Sequence, residues 1–170
     1  MGYQKILVPL DGSTLAEQVL KRIDKMVAPK AHVHLLTVLG HDRLDIIAST
    51  VSAGGQPFSP ISDPWMVSDF NDPANLESRK NYLRTAAMSL TKLGLVVTTS
   101  IRYGEVVDSI VEEATQGRYD AIAIATHGRT GFGRLLLGSV TQALLTKAPC
   151  PVLVLPPSKL LESLESAQKP

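Results

Sequence analysis

Six residues without a charge, Ala121-Ile-Ala-Ile-Ala-Thr126, run directly into a stretch punctuated by Gly128, Gly131, Gly133 and Gly138. A strand this uniformly apolar has no face to offer water, so it belongs inside a sheet covered on both sides, as parallel strands of layered α/β folds are. Beyond the glycines, Ser139-Val-Thr-Gln142 has the Ser-x-x-Gln spacing of a capping box, which places a helix start at Ser139. Strand, loop and helix in this order leave unpaired backbone N–H groups and the positive end of the helix dipole at the helix mouth, a ready anion site. Two readings of the mouth stand together. Ser139 and Gln142 satisfy only their own helix end, or the mouth receives a ligand. Four glycines within eleven positions exceed what a plain connection of about 2 to 6 residues needs, which favours the ligand.

The rest of the chain alternates in the same way. Lys5-Ile-Leu-Val-Pro9 reads as a first strand and Leu10-Asp11-Gly12-Ser13 as its turn, with Ser13 or Thr14 as an N-cap. Ala16, Val19, Leu20, Ile23 and Val27 recur at helical spacing, giving an amphipathic helix ended by Pro29. His32 to Leu39 reads as a second strand, so the opening βαβ unit predicts a right-handed crossover and a parallel sheet. From residue 40 to 73 the pattern lapses, with four prolines and Trp65; a connection this long is a lid, a partner-contacting loop or partly disordered. Helical spacing returns at Leu76, Leu83, Ala86, Ala87 and Leu90, with Gly94 as a stop. Leu95 to Arg102 is a β-branched third strand whose Thr and Ser content suits a sheet edge. Gly104-Glu105 opens a helix with Val107, Ile110, Val111 and Ala114 on its apolar face, closed by Gly117. After the helix from Ser139 to about Lys147, Pro149 and Pro151 forbid continuation, and Val152 to Leu155 is a fifth strand at an edge. Residues 1–157 thus read as one domain with 40–73 as a long insertion, and 158–170 as a C-terminal tail.

The expected architecture is a doubly wound, three-layer α/β fold. In such folds ligands sit beyond the C-terminal ends of the strands, which is where Asp11 falls. An Asx hydrogen bond that only stabilises the turn is the plainer role for that aspartate. Arg129 and Arg134 flank the glycine loop and either approach phosphates or sit solvated; His127 either binds or only covers the strand end. Several classes are excluded by what the first turn lacks. Pro9-Leu-Asp-Gly-Ser13 contains neither the Gly-x-x-x-x-Gly-Lys-Ser/Thr of a P-loop nor the Gly-x-Gly-x-x-Gly of a dinucleotide site. It also lacks the adjacent acids of a phosphoryl-accepting receiver domain. A formal net charge of +1 gives no basic excess for nucleic acid or anionic membrane. No apolar run approaches the 18 or so residues of a membrane span. The start runs straight into a strand with no signal peptide, and a lone cysteine, Cys150, can form no internal disulfide; both lead to an expected cytoplasmic location. The four histidines show no zinc-site spacing.

His127-Gly128, nine residues, Gly138-Ser139-Val140-Thr141 and then Ala148-Pro-Cys-Pro-Val-Leu-Val-Leu155 resemble the ATP-binding loop and last strand of the universal stress protein family. The family pattern is Gly, two residues, Gly, nine residues, Gly, then Ser or Thr; this chain has Ala125 at the first glycine and matches at Gly128, Gly138 and Ser139. The extra Cβ at 125 lies where a backbone would approach the nucleotide. The resemblance implies a Rossmann-like, adenine nucleotide alpha hydrolase-like fold, its five parallel strands in the order 3-2-1-4-5. It also implies nucleotide contacts at Pro9, Leu10, Asp11, Val38, Ile124, Ala125, Gly128, Gly138, Ser139, Val140 and Thr141. Asp11 would hold the nucleoside, Val38 would line the adenine pocket, and Ser139 and Thr141 would offer hydroxyls to phosphates. The implied ligand is ATP, or AMP or ADP, with Mg²⁺ arriving only on the nucleotide. The implied assembly is a homodimer through Val152–Leu155. Three functions follow: a stress-response regulatory or sensor module that binds adenine nucleotide, a nucleotide-free interaction protein, and a slow ATPase. Fast hydrolysis needs a positioned base and charge stabilisation, and no such constellation stands in the sequence.

Overall fold

The computed structural model describes residues 2–40, 73–126 and 137–156. Along the chain these form β1 (Tyr3–Pro9), a one-turn α1 (Glu17–Leu20), a 3₁₀ turn (Ile23–Lys25) and β2 (Val27–Leu39). Then follow α2 (Pro73–Thr91), β3 (Val96–Tyr103), α3 (Val106–Gly117), β4 (Ala121–Ala125), α4 (Ser139–Lys147) and β5 (Val152–Leu155). The five strands make one sheet in the order β3-β2-β1-β4-β5, with every pair parallel. β1 and β4 are therefore neighbours at the point where the winding reverses, and their C-terminal ends open onto one crevice.

Alternation along the central strands sends side chains to two cores. Ile6, Val8 and Leu10 join Val19, Ile23, Leu83 and Leu90 under α1 and α2. Leu7, Leu36 and Ile122 join Ile110, Ala114, Tyr119 and Leu144 under α3 and α4. This is the three-layer arrangement that an uncharged β4 requires: Ala121, Ile122 and Ala123 are fully buried between the layers. The start of β4 is fastened to β1 by Asp120, whose Oδ2 accepts the Gln4 and Lys5 N–H groups at 2.9 and 2.8 Å. At the other end of β1, the Thr37 hydroxyl of β2 donates to the Leu10 carbonyl at 3.0 Å, just before the turn that holds Asp11.

Several elements depart from the sequence expectation. The first helix does not run to Pro29: only Glu17–Leu20 is α-helical, Arg22 leaves helical geometry at φ −128°, and β2 has already begun at Val27. Pro29 is tolerated inside a strand because the β1–β2 register shifts between Tyr3 and Lys5, leaving a bulge in β2 where Lys30 takes φ 61°. α3 does close at Gly117, and Arg118 after it is the C-cap, in left-handed geometry at φ 49°. Gly117 is glycine for a packing reason, since a Cβ there would lie 2.0 Å from Cε2 of Tyr119. The capping box also fails to form: Gly138 is the N-cap of α4, Ser139 is the first helical residue, and no side chain caps the end. A glycine N-cap leaves the Ser139 hydroxyl available, which changes what the helix mouth can do. The expectations for 40–73, Trp65, the tail, His127, Gly128, Arg129 and Arg134 fall outside the described residues, save for residue 40 and Pro73.

Candidate functional site

The crevice at the strand ends is open. It has a volume of about 350 Å³, within the range of small-molecule sites. Its described lining brings together Pro9, Leu10, Asp11, Val38, Ile124, Ala125, Gly138, Ser139, Val140 and Thr141. These are all the residues singled out from the sequence except Gly128, which lies outside the described chain. The same cavity is also lined by Ser13, Leu15, Ala16, Leu36, Val106 and Ile110, which sequence reasoning did not assign to a site. Ile110 was legible as a helix-face residue, but nothing in a 3.6-residue period says which turn of α3 overhangs the crevice.

Three chemical zones meet there. The floor is apolar: Leu36 and Val38 from β2, Ile124 from β4, and Val106 and Ile110 from α3. Such a floor suits a flat, weakly polar ring. At one side stands the β1–α1 turn, where Asp11 is the only charged residue among the described lining. Its Oδ1 accepts the Ser13 N–H at 2.9 Å, so the Asx turn does form, while among the described residues Oδ2 accepts no hydrogen bond. One carboxylate thus orders the turn and keeps an oxygen for a ligand. The turn itself is built by Gly12, whose φ of 86° favours glycine, and by Ser13, whose hydroxyl accepts the Ala16 N–H at 3.1 Å. At the other side is the mouth of α4. The first bond of its ladder is Gln142 N–H to Gly138 C=O at 3.0 Å, so the N–H groups of Ser139, Val140 and Thr141 precede the ladder. Ser139 is exposed, whereas Thr141 is only 3% exposed.

The alanine at 125 does not plug the cavity. Its side chain packs against the core on the α1/α2 face, together with Ala16, while Ile124 turns to the opposite core. From outside the cavity, α2 reaches the same turn: Arg79 Nη1 donates to the Asp11 carbonyl at 2.6 Å. One helical turn on, the Tyr82 hydroxyl is buried with no hydrogen-bond partner among the described residues. Burial first, then the Glu17 and Asp11 carboxylates, push its phenol up to about 12. Among the described residues no cluster of three His, Cys, Asp or Glu side chains is placed to hold a metal ion, and no helix is long and apolar enough to cross a membrane.

A sequence model described as the universal stress protein family matches residues 2–156. Universal stress protein MJ0577 of Methanocaldococcus jannaschii is 33% identical over 159 residues, spanning 89% of this chain and 94% of the relative. The solved structure of MJ0577 superposes with a TM-score of 0.67 at 27% identity, covering 92% of this chain and 97% of that one. Two more distant structures share the fold. One is a universal stress protein in complex with cAMP, with a TM-score of 0.58 at 20% identity, covering 92% and 99% of the two chains. The other is a family protein from Arabidopsis thaliana with AMP bound, with a TM-score of 0.53 at 16% identity, covering 91% and 92%.

Proposed function

The chain belongs to the universal stress protein family, and on that premise we propose that it binds ATP, or AMP or ADP, in the crevice between β1 and β4 and works as a stress-response sensor or regulatory module. One observation carries this reading: an apolar floor, a carboxylate whose Oδ2 is uncommitted among the described residues and a helix mouth whose first amides precede the ladder converge on one open cavity. Each zone matches one part of an adenine nucleotide. Leu36, Val38 and Ile124 would hold the base; Asp11 Oδ2 would accept from sugar hydroxyls; the amides of Ser139, Val140 and Thr141, with the Ser139 hydroxyl, would hold phosphates. Gly128 is assigned to the phosphate loop by its place in the motif. Distant family members crystallised with cAMP and AMP lend support to an adenine ligand.

Charge on the phosphates must be balanced, and the described lining carries no lysine or arginine. Mg²⁺ carried in on the nucleotide supplies that balance. Hydrolysis is slow at most, because the described lining offers no base or cation beyond Asp11 and the helix mouth. The proposed assembly is a homodimer through β5, the strand that ends the sheet order, and the proposed compartment is the cytoplasm, consistent with a single cysteine.

The decisive experiment is to denature the purified protein without stripping ligands and identify what is released, then titrate the stripped protein with ATP. Released adenine nucleotide, or a melting temperature that rises with ATP as RT ln(1 + [L]/Kd) requires, supports the reading. An empty protein indifferent to ATP overturns it and leaves a family member that acts through protein contacts.

A further inference from the structure

Arg79 is separated from Asp11 by 68 residues, is half-buried on α2, and does not line the cavity, yet its guanidinium is fastened to the Asp11 carbonyl at 2.6 Å. The contact is built into the turn. A Cβ added at Gly12 would come within 2.5 Å of Arg79 Nη1, so the guanidinium occupies space that any side chain at 12 would claim. The carbonyl that it binds is exposed, and water would satisfy it as well. Holding a long, flexible arginine in one conformation costs side-chain entropy of the same order as the bond returns. The bond therefore adds little to stability. What it does set is the direction of one peptide plane, and the carboxylate of Asp11 hangs from that residue.

We infer that Arg79 is a positioning residue of the nucleotide site: it pins the β1–α1 turn from outside, so that Asp11 presents its uncommitted oxygen to the cavity. This rests on the adenine-nucleotide reading of the crevice. Two restraints then act on one residue, the Arg79 bond on its carbonyl and the Ser13 N–H on its Oδ1, leaving Oδ2 as the remaining acceptor. Tyr82, three residues along the same helix, packs against the same core as Ala16, the residue whose N–H the turn's Ser13 accepts. Coupling is reciprocal, so a nucleotide gripped by Asp11 stiffens the turn and thereby holds α2 in place.

The test compares the full chain with Arg79→Ala, Arg79→Lys and a control, Arg84→Ala, which lies on the same helix and among the described residues pairs with Asn81 and Glu77 rather than with the turn. Isothermal titration with ATP should show Arg79→Ala about five- to tenfold weaker, Arg79→Lys recovering most of the loss, and Arg84→Ala unchanged. Melting temperatures should stay within about 2 °C of each other. Amide exchange at Ser13, whose N–H reports the Asx bond, should accelerate in Arg79→Ala alone. Wild-type affinity in Arg79→Ala overturns the inference; so does a loss of affinity that only tracks a loss of stability. If the unmutated protein binds no adenine nucleotide, the functional reading falls by itself. Ser13 exchange then still decides the role of Arg79: unchanged exchange overturns it, and faster exchange keeps it as the residue that sets the turn.

Discussion

Asp11 serves the fold with one oxygen and, on our reading, the ligand with the other, and paired substitutions can separate the two roles. Asp11→Ala removes both. Asp11→Asn keeps an amide oxygen for the Ser13 N–H, now at 2.9 Å from Oδ1, and loses the charge and the second acceptor. The turn bond is exposed, so its loss in Asp11→Ala costs about 1 kcal/mol, or about 2–4 °C of melting temperature for a chain of this size. Asp11→Asn should cost almost nothing, because its amide oxygen keeps the bond from the Ser13 N–H. Affinity should behave differently. A hydrogen bond to a charged group contributes about 1.5–3 kcal/mol, and the exposure of Asp11 puts the loss at the lower end, about tenfold in Kd, for both variants. Calorimetric titration with ATP beside urea unfolding reads the two quantities separately. Asp11→Asn binding as tightly as wild type would refute the assignment of the carboxylate to the nucleoside. Equal destabilisation in both variants would refute the account of the turn.

Gly117→Ala forces a methyl into Tyr119, whose ring is only 7% exposed and lies under the Lys5 ammonium at 4.8 Å. Overpacking should outweigh the gain in helix propensity by about 1–2 kcal/mol, seen as a melting temperature lower by about 2–8 °C; an unchanged value would show that the ring moves freely. His34 bonds Thr98 Oγ1 and Ser100 Oγ with its two ring nitrogens at 2.7 and 2.8 Å, and burial lowers its pKa from the ordinary 6.5 despite the opposing Glu113 carboxylate. The unfolded chain then takes up the proton first as pH falls. This contribution to stability is complete above 6.5 and is lost as pH drops from there towards the lowered folded value. Urea unfolding at about pH 8 and about pH 5 should show a smaller fall in His34→Gln than in wild type; identical slopes would contradict the burial account. Light scattering should report the mass of two chains, and a lysine at Val154 on the β5 edge should give a folded monomer by opposing like charges; a variant that stays dimeric would move the interface elsewhere.

The layer architecture was legible in the sequence because it follows from short-range facts: an uncharged run at 121–126, apolar alternation, prolines that stop elements, and spacings that leave room for crossovers. Pro9, Asp11, Gly138 and Ser139 could likewise be picked out, since motif spacing and strand ends are properties of the chain itself. The errors have a common origin in tertiary competition. The apolar spacing from Ala16 to Val27 promised a full helix, but the residues from Val27 onward extend β2 beside β1, and the strand claims them by pairing. Ser139-x-x-Gln142 promised a self-satisfied helix end, yet Gly138 caps it and the serine is left for the crevice. Strand order was not contained in any local pattern; it places β1 beside β4 and so brings Asp11 and Ser139, 128 positions apart in the chain, to one cavity. Arg79 carried no signal at all, because a lone arginine on a polar helix face looks solvated until the fold sets a carbonyl 2.6 Å from it. Local sequence decides which backbone segments form and which are buried; only the packing of distant segments decides which of their polar groups face one another.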